Sequence, residues 1–461
     1  MLSSAGEAVT GATAPRGDYL AVLDATAPAG QFALVRRWMD EEPLPFFKTL
    51  RERRPVLVTP VCTLVAGFDA VVDLLRQPRV FTTALYRPKM GDGIFLMCHD
   101  DDALHTREKS LMQAVLNRDD LPAVRAMVGR LANEALDAAV DGRIDAIARY
   151  TRYVPARLVQ EYFGLRGRDA SDLMEWSYWN QVDTFHNQPF DLLSEERRRH
   201  IEQRHDETGK ELGRFVEELV ALRLAEVALE TAASPLLLLR RGLAALGRAL
   251  TGASAPVARD DIVTRLLRCH FPETVDFDIK RLGVNVGGLL IGAIETTSPA
   301  VAAVIQLLLE RPELREQALA CARLPDPAAF DSLVWEALRF VPISPYLFRK
   351  AAVAATIAQG TPHATVVPAG TLVLALTQSA MFDPAAFERP EEFIRTRNWY
   401  HTFHFGFGPH ECLGRYIGMV LIPEMVRQIF LRPGLAAEGP MDFGDGPFPQ
   451  HWPVRWEGRA G

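Results

Sequence analysis

The longest apolar periodic segment of the chain, residues 277–310, constrains the fold most, because a helix of that length and composition has to run through a core. Helical periodicity also recurs in four shorter segments, residues 121–139, 144–163, 169–178 and 195–226. No linker or low-complexity run divides the 461 residues. We therefore expect one large, mainly α-helical domain of the α+β class over residues 21–461, preceded by a disordered stretch at residues 1–20.

The middle of the long segment is unusual for a helix interior. Glycines occupy positions 287, 288 and 292, and each costs about 1 kcal/mol relative to alanine, so that close approach of a bulky flat ligand is one explanation. Gly288, Gly292 and Ala293 share the face of Thr296 and leave a groove there. The adjacent Glu295 is an acid that needs a partner if it is buried. The same residues also fit a helix-packing groove in which the threonine bonds back to a carbonyl.

A second constraint is the loop at residues 405–414, where one cysteine lies among glycines ahead of an apolar periodic segment. Gly406 and Gly408 allow a positive φ angle and a close approach of the backbone to a flat ligand. Cys412 precedes a helix predicted to begin at about Leu413, and free N–H groups there favour a thiolate. The alternative is a buried structural cysteine in a glycine-rich turn.

Six positions of this loop form one pattern, namely Phe405, Gly406, Gly408, His410, Cys412 and Gly414. The pattern resembles the cytochrome P-450 family of haem-thiolate enzymes. The resemblance implies the P-450 fold, a large helical region with a small β-rich lobe, and haem b (iron protoporphyrin IX) held between the long central helix and the cysteine loop. It also implies that Cys412 is the iron ligand, that His410 reaches a propionate, that Phe405 shields the sulfur, and that Gly406 and Gly414 border the haem.

The resemblance implies further haem contacts at a basic pair and at an arginine. His105 and Lys109 are four residues apart and share a helix face. They occupy the place of the family's propionate-binding pair, where Lys109 departs from the more usual arginine and supplies a point charge. A solvated charged face is the alternative for Lys109. Arg349 matches the position that binds the second propionate.

Two other pairs match the family. Glu295 and Thr296 correspond to the acid and hydroxyl that supply protons to bound dioxygen, although Gly292 and Ala293 reverse the family's usual order of alanine and glycine. Glu336 and Arg339 correspond to a structural ion pair behind the haem. A third arginine completes that arrangement, and the sequence leaves Arg395 and Arg397 as candidates.

The small lobe and the pocket are predicted from short elements and a long loop. Residues 46–54 and 70–76 are predicted helices, whereas residues 55–65 and 366–373 are predicted hairpins. The aperiodic residues 81–104 form the loop that roofs the substrate pocket in the family. The resulting apolar pocket residues predict a hydrophobic substrate: Ile94, Phe95, Leu96, Leu289, Gly292, Ala293, Ile343, Tyr346 and Phe348.

Composition excludes several classes of protein. The net charge of −7 argues against a nucleic-acid binder, and five scattered cysteines argue against a disulfide framework, so we expect a cytoplasmic protein. Residues 1–17 contain no apolar run, so we expect no membrane anchor. Residues 231–256 are interpreted as an insertion whose apolar stripe packs on its own protein in preference to a membrane surface.

The function implied by the resemblance is a monooxygenase that inserts one oxygen atom from O2 into a hydrophobic small molecule by hydroxylation or epoxidation. No flavin or iron–sulfur motif is present, so a ferredoxin and its reductase, or a flavodoxin, are expected as partners of a monomer, docking on the cysteine side near exposed basic residues such as Arg415. One alternative is a peroxide-driven, isomerase or dehydratase enzyme of the same fold. Another is a haem-binding sensor or carrier without turnover.

Overall fold

A computed structural model describes residues 18–90, 93–100, 103–231, 260–269, 275–398 and 401–458. Helices predominate. They are α1 (Tyr19–Ala25), α2 (Pro28–Glu41), α3 (Pro43–Arg53), α4 (Phe68–Leu75), α5 (Ala103–Val115), α6 (Leu121–Asp137), α7 (Tyr153–Leu158), α8 (Ala170–His186), α9 (Glu195–Thr231), α10 (Ile262–Arg268), α11 (Ile279–Ile294), α12 (Thr297–Glu310), α13 (Pro312–Ala322), α14 (Ala328–Phe340), α15 (Thr377–Ala380) and α16 (Arg415–Phe430). Two π-helical turns, Ile147–Thr151 and Val159–Phe163, flank α7.

In the described residues, ten short strands form three sheets. They are β1 (Val56–Val58), β2 (Thr63–Val65), β3 (Phe81–Thr82), β4 (Arg143–Asp145), β5 (Leu347–Ala351), β6 (Ala355–Ile357), β7 (Thr365–Val367), β8 (Leu372–Ala375), β9 (Ala436–Ala437) and β10 (Pro453–Arg455). The largest sheet has the order β1-β2-β8-β5-β3. It packs beside α1, α2 and α3, which makes this the small lobe.

The predicted hairpin at residues 366–373 is wrong. The strands on either side of its turn belong to different sheets, because β7 pairs with β6 while β8 lies between β2 and β5. The turn at Gly370, where φ is 87°, therefore carries the chain from one sheet to the next. The other predicted hairpin is confirmed, since β1 and β2 are antiparallel with Val56 opposite Val65.

The long apolar segment forms the centre of the helical region, in contact with α7, α8 and α9 through α11 and with α14 and α16 through α12. It is one continuous helix in the prediction but two in the structure, because Glu295 and Thr296 form a turn between α11 and α12. Within the described part of the chain, Ile279–Glu310 is also the one segment long and apolar enough to cross a membrane. Two thirds of its most apolar window is buried in the protein, as expected of a core helix.

Three predictions at segment boundaries can be compared with the structure. The disorder expected at residues 1–20 is wrong for residues 18–20, because the Asp18 side chain caps α1 and Tyr19 and Leu20 are buried. Residues 1–17 lie outside the described residues, as does most of the proposed insertion at 231–256. The predicted loop at 81–104 contains β3 and two single 3₁₀ turns, Arg87–Lys89 and Leu96–Cys98, before α5 begins.

Candidate active site

The cysteine loop is a tight turn fixed by its own backbone and by its glycines. The Cys412 N–H donates to the Phe405 carbonyl at 2.8 Å. Gly406 and Gly408 have φ angles of 75° and 74°, and a Cβ atom on Gly408 would stand 2.8 Å from the Leu75 carbonyl oxygen. A side chain at position 408 is therefore excluded both by backbone strain and by contact with the end of α4.

Phe405 anchors the loop on the helix that follows it. Its ring lies against the backbone of Gly418 in α16, where a Cβ atom would come within 2.7 Å of the ring, and its centroid is 5.7 Å from that of Trp335. A Cβ atom on Gly414 would be 3.9 Å from the Cys412 sulfur. The helix begins at Arg415, two residues after the predicted start, so Cys412 lies in the turn that leads into it.

Cys412 is exposed in a loop whose other residues are mainly half-buried. The protein atoms that surround the sulfur and partly exclude water raise the pKa of the thiol, whereas a hydrogen bond from the Gly414 backbone and the charge of Lys109 lower it. Protein surroundings alone therefore do not hold a thiolate here. A positively charged metal ion at the sulfur would favour deprotonation, as a bound cation does for any coordinating thiol.

Basic residues from three elements converge beside the loop. The rings of His105 in α5 and His410 in the loop are 4.6 Å apart. Burial, assisted by Arg349, His105 and Lys109, lowers the pKa of His410 to about 3, so its imidazole is neutral at pH 7. Arg349 is buried in β5 and donates to its neighbouring carbonyl, that of Phe348, at 2.8 Å.

Lys109 is engaged with the loop itself. Its Nζ donates to the carbonyl oxygens of Pro409 at 2.6 Å and Glu411 at 2.7 Å, on either side of His410. Burial lowers the pKa of this amine. In the described contacts Lys109 therefore braces the loop, and the solvated charged face considered for it is wrong because the ammonium group is enclosed by backbone carbonyls.

The C-terminal end of α11 has one uncovered face. The Thr296 hydroxyl donates to the Gly292 carbonyl at 2.6 Å. Gly292 is exposed, and no atom lies within 4 Å of the position of its missing Cβ, although Leu290 and Ile294 beside it are fully buried. The face shared by Gly292 and Thr296 is thus an uncovered surface inside an otherwise packed helix.

Glu295 points to a different side of this turn. It is fully buried, and its Oε1 lies 2.8 Å from the Nε of Arg152, which follows a π-helical turn. Burial raises the pKa of Glu295 to about 7, and the attraction of Arg152 limits the rise. Arg152 in turn donates to Gln450 at 3.1 Å and lies over the ring of Tyr178. The sequence contains no signal that would pair Arg152 with Glu295.

The roof segment at residues 94–96 is fastened to α11. Arg281 donates to the Ile94 carbonyl at 3.0 Å, and the Leu96 N–H donates to Asn285 at 3.3 Å. The Phe95 ring between these two bonds lies on the backbone of Gly288, where a Cβ atom would be 2.2 Å from the ring. The groove predicted at Gly288 is therefore filled by a protein side chain, and only its continuation toward Gly292 is open.

A buried carboxylate holds the two roof-binding residues in place. Glu108 in α5 is fully buried and binds Arg281 through both oxygens, at 2.5 and 2.6 Å. Its Oε2 also accepts from Asn285 at 2.8 Å. Sequence patterns alone missed this arrangement, because its three members lie in two separate segments of the chain.

The remaining predicted pocket residues are distributed over two environments. Leu289 is buried, and Ala293 and Ile343 are half-buried against the main core. Tyr346 and Phe348 lie in the small lobe, where Phe190 packs on both rings and the Tyr346 hydroxyl accepts from Arg36. The structure thus surrounds Tyr346 and Phe348 with protein. Leu347 between them extends to the cysteine loop, within 3.8 Å of the Cβ position of Gly406.

The predicted ion pair Glu336–Arg339 is present in α14, with Arg339 fully buried and 2.7 Å between Nη2 and Oε1. Arg397 is its third member, since its Nε lies 3.1 Å from the same carboxylate oxygen. Arg395 instead approaches the sulfur of Cys321. Arg339 also donates to the carbonyls of residues 381, 390 and 392, so the arrangement fastens the segment that leads into the cysteine loop.

Comparison with known proteins agrees with this geometry. The family model described as Cytochrome P450 matches residues 327–432, which include α14, the cysteine loop and α16. The chain is 24% identical over 367 residues to Steroid C26-monooxygenase of Mycobacterium tuberculosis (79% of this chain, 85% of the relative). It is 24% identical over 409 residues to 6-deoxyerythronolide B hydroxylase of Saccharopolyspora erythraea (84% and 87%). The structure of CYP109E1 from Bacillus megaterium with testosterone matches the fold with a TM-score of 0.70 at 18% identity, covering 94% of this chain and all of the other.

These matches define a haem-thiolate protein of the mainly helical fold described above. The family-model match, together with the relatives at 24% identity over about four fifths of the chain, supports a bacterial-type cytochrome P450. The protein is an oxygen-incorporating oxidoreductase that binds haem and uses O2. Its relatives are monooxygenases, hydroxylases and epoxidases, so neither a peroxide-driven or isomerase enzyme nor a carrier is favoured. A small-molecule substrate and redox partners follow from the family.

The residues present fit a haem group. Gly292 is exposed on a helix that is otherwise largely buried, and Cys412 is exposed in a half-buried loop, which is the expected result where a planar group would cover both. The imidazoles of His105 and His410 and the guanidinium of Arg349 supply polar groups for carboxylates at the edge of such a group. Among the described residues no cluster of three or more histidine, cysteine or acidic side chains offers another metal site.

Proposed function

We propose that the protein inserts one oxygen atom from O2 into a hydrophobic small molecule, with haem held between α11 and the cysteine loop. The observation that carries this proposal is the pair of exposed positions Gly292, on a helix that is otherwise largely buried, and Cys412, in a loop that is mainly half-buried. In this proposal residues 21–461 form one P450 domain, and the protein is a cytoplasmic monomer. The five cysteines are all free thiols, which supports a reducing compartment.

Haem held by the sulfur of Cys412 would supply the activation of dioxygen. The chain's own residues supply geometry and protons. Cys412 provides the sulfur, and the N–H of Gly414 and the brace from Lys109 hold it in position. Thr296 presents its hydroxyl beside the open surface of Gly292, and Glu295, with a pKa near 7, exchanges protons at neutral pH.

The substrate pocket extends from the roof segment to α11. Phe95, Leu289, Ala293 and Ile343 contribute apolar surface, and Ile94 and Leu96 flank the roof. The relatives named above act on a steroid and on 6-deoxyerythronolide B, as their names state, and these names support a hydrophobic substrate. Tyr346 and Phe348 support the pocket from behind, through the aromatic cluster of the small lobe.

Electrons come from a separate ferredoxin with its reductase, or from a flavodoxin, docking on the cysteine side. The prediction that Arg415 is an exposed basic residue at which a redox partner docks is wrong, because its guanidinium is largely enclosed and paired with Glu411. Arg118, exposed and lying over the Tyr416 ring at the start of α16, is a better candidate for steering an acidic partner.

The thiolate assignment is tested by the absorption spectrum of the reduced carbon-monoxide complex. The wild-type protein is expected to show the far-red-shifted Soret band of thiolate ligation, and Cys412→Ala is expected to lose it. Cys269→Ala is the matched control, because Cys269 is an exposed cysteine at the end of α10. Retention of the band by Cys412→Ala would refute the assignment, and absence of reductant-dependent O2 consumption with a bound hydrophobic ligand would refute the monooxygenase activity.

A further inference from the structure

The roof segment is bonded to α11 at both of its ends. Arg281 donates through Nη1 to the Ile94 carbonyl at 3.0 Å, and the side-chain oxygen of Asn285 accepts from the Leu96 N–H at 3.3 Å. Arg281 and Asn285 are four residues apart, so they lie on one face of α11. The backbone groups on either side of the central residue of the roof are thus bonded to the same helix face.

One buried carboxylate fixes both of these side chains. Glu108 in α5 is fully buried and accepts from the Nε and Nη2 of Arg281 at 2.5 and 2.6 Å and from the amide of Asn285 at 2.8 Å. The same amide also donates to the Arg281 carbonyl at 2.9 Å, and Asn285 is fully buried. Displacement of any member of this Glu108 cluster (Glu108, Arg281 and Asn285) would leave a buried charge or polar atom unpaired, which is costly.

The Glu108 cluster determines where the Phe95 ring lies. The ring covers the backbone of Gly288, where a Cβ atom would overlap it, and it packs against both the main core and the small lobe. Gly292 is four residues further along the same face of α11, about 6 Å by the rise of a helix, and no described atom lies within 4 Å of its Cβ position. The open surface at Gly292 therefore ends at the Phe95 ring.

We propose that the three residues of the Glu108 cluster are positioning residues for the substrate pocket, which hold the roof segment so that the Phe95 ring limits the length of substrate along α11. The inference rests on the proposed function and deepens it, because it names what sets the extent of the pocket. A hydrophobic molecule that extends from the haem toward the N-terminal end of α11 meets this ring just beyond Gly292. A buried ion pair adds little net stability relative to apolar residues of the same volume, so we assign its role to holding this geometry.

The experiment measures how a series of 1-alkylimidazoles, from ethyl to dodecyl, binds to the haem-loaded protein, by the shift of the Soret band. These probes bind iron through a ring nitrogen and extend an unbranched apolar chain into the pocket. For the wild type, Kd is expected to fall about fourfold per added carbon until the chain meets Phe95, and then to stop falling. In Phe95→Ala the fall is expected to continue over several more carbons, so that the longer probes bind about tenfold more tightly than to the wild type.

The Glu108 cluster is tested by the double variant Glu108→Gln/Arg281→Met, which removes both charges together and leaves no unpaired ion. Its chain-length limit is expected to move to longer probes, as in Phe95→Ala, because the roof segment can leave α11. A merely structural role would lower stability without moving this limit. Hydrogen exchange of the Leu96 amide, which needs no haem, is expected to become severalfold faster. Asn285→Leu, which removes only the acceptor of this amide, is expected to change both measurements in the same direction.

The matched control is Glu161→Gln/Arg157→Met, which makes the same substitutions in an ion pair of 2.9 Å between α7 and the π-helical turn after it. It is expected to keep the wild-type chain-length limit and the wild-type exchange at Leu96. The inference is overturned if Phe95→Ala has the same limit as the wild type, or if the folded cluster variants keep that limit. The proposed function fails on a different result, absence of the thiolate band or of any Soret shift in the wild type, and exchange at Leu96 still tests the cluster in that case.

Discussion

The carboxyl of Glu295 makes the folding stability of this protein depend on pH in a direction opposite to that of most acidic residues. Burial raises its pKa from 4.5 to about 7, in spite of the opposing charge of Arg152. Between pH 4.5 and 7 the folded protein therefore keeps a proton that the unfolded chain has lost. Unfolding releases that proton, so this residue's contribution falls as the pH rises through that window. A pKa change of this size corresponds to roughly 3 kcal/mol.

The replacement Glu295→Gln keeps the shape of the side chain and removes its titration. We expect the wild type to lose roughly 3 kcal/mol of unfolding free energy relative to the variant between pH 4.5 and 8, as measured by urea unfolding of the haem-loaded proteins. Asp191, whose pKa burial raises to about 6, titrates in both proteins and cancels in the comparison. Glu310→Gln, at the exposed end of α12, is the control.

Arg152 sets the upper limit of this window. Its cation lowers the pKa of Glu295, so Arg152→Met is expected to raise that pKa and to extend the loss of stability to higher pH. The reasoning is refuted if the pH dependences of the wild type and Glu295→Gln run parallel from pH 4.5 to 8. It is also refuted if Arg152→Met shifts the transition toward acid, because this would mean that Arg152 is not the partner of the carboxylate.

Three further replacements test the architecture around the site. Gly288→Ala places a methyl group on the Phe95 ring and should cost about 1–3 kcal/mol in urea unfolding, much of it recovered when combined with Phe95→Ala; strictly additive costs would contradict the contact. Arg339→Met leaves a buried carboxylate without its main partner and should cost about 3–5 kcal/mol, against less than about 1 kcal/mol for Arg395→Met, and equal costs would contradict the assignment. Lys109→Met should hasten loss of the thiolate band in urea, whereas Lys109→Arg should keep it, and identical decay in all three proteins would show that the brace is dispensable.

Local sequence patterns predicted the elements that depend on neighbouring residues. The glycine-rich loop before α16 and the spacing of Glu336 and Arg339 are local features, and both are found in the structure. Neighbouring residues could not decide whether Arg395 or Arg397 binds Glu336. The answer depends on the path of an irregular segment that returns to α14, and several backbone carbonyls fix that path through Arg339.

The strand pairing predicted across Gly370 failed for the same physical reason. The residues on either side of Gly370 have strand propensity and a turn between them, which is the local signature of a hairpin. However, β8 finds partners in β2 and β5, from distant parts of the chain, and β7 is left to pair with β6. Pairing partners compete across the whole sheet, so the turn decides where the chain bends and does not decide which strands meet.

The break in the central helix shows where sequence periodicity stops being informative. Apolar periodicity continues without interruption through residues 295–296, and so it predicts one helix. At this point the end of the helix is contacted by polar side chains from elsewhere, namely Ser177 and Gln181 at the Ile291 carbonyl and Arg152 at the carboxylate of Glu295. None of these three is marked by a motif of its own. Each is a polar residue on an otherwise buried surface, which is a detectable signal only once that surface is known.

Two glycines of α11, Gly288 and Gly292, have different structural roles. Gly288 is required because the Phe95 ring occupies the space that a Cβ atom would need, so its role is packing of the roof segment. Gly292 has no such neighbour, and its open surface continues toward the Thr296 hydroxyl. A single explanation for both, close approach of a flat ligand, is therefore wrong for Gly288 and remains a prediction for Gly292. Each of the two glycines therefore makes the helix less stable than alanine would, but for a different contact. Gly288 accommodates a side chain of the same protein, and Gly292 would accommodate the haem of the proposed site.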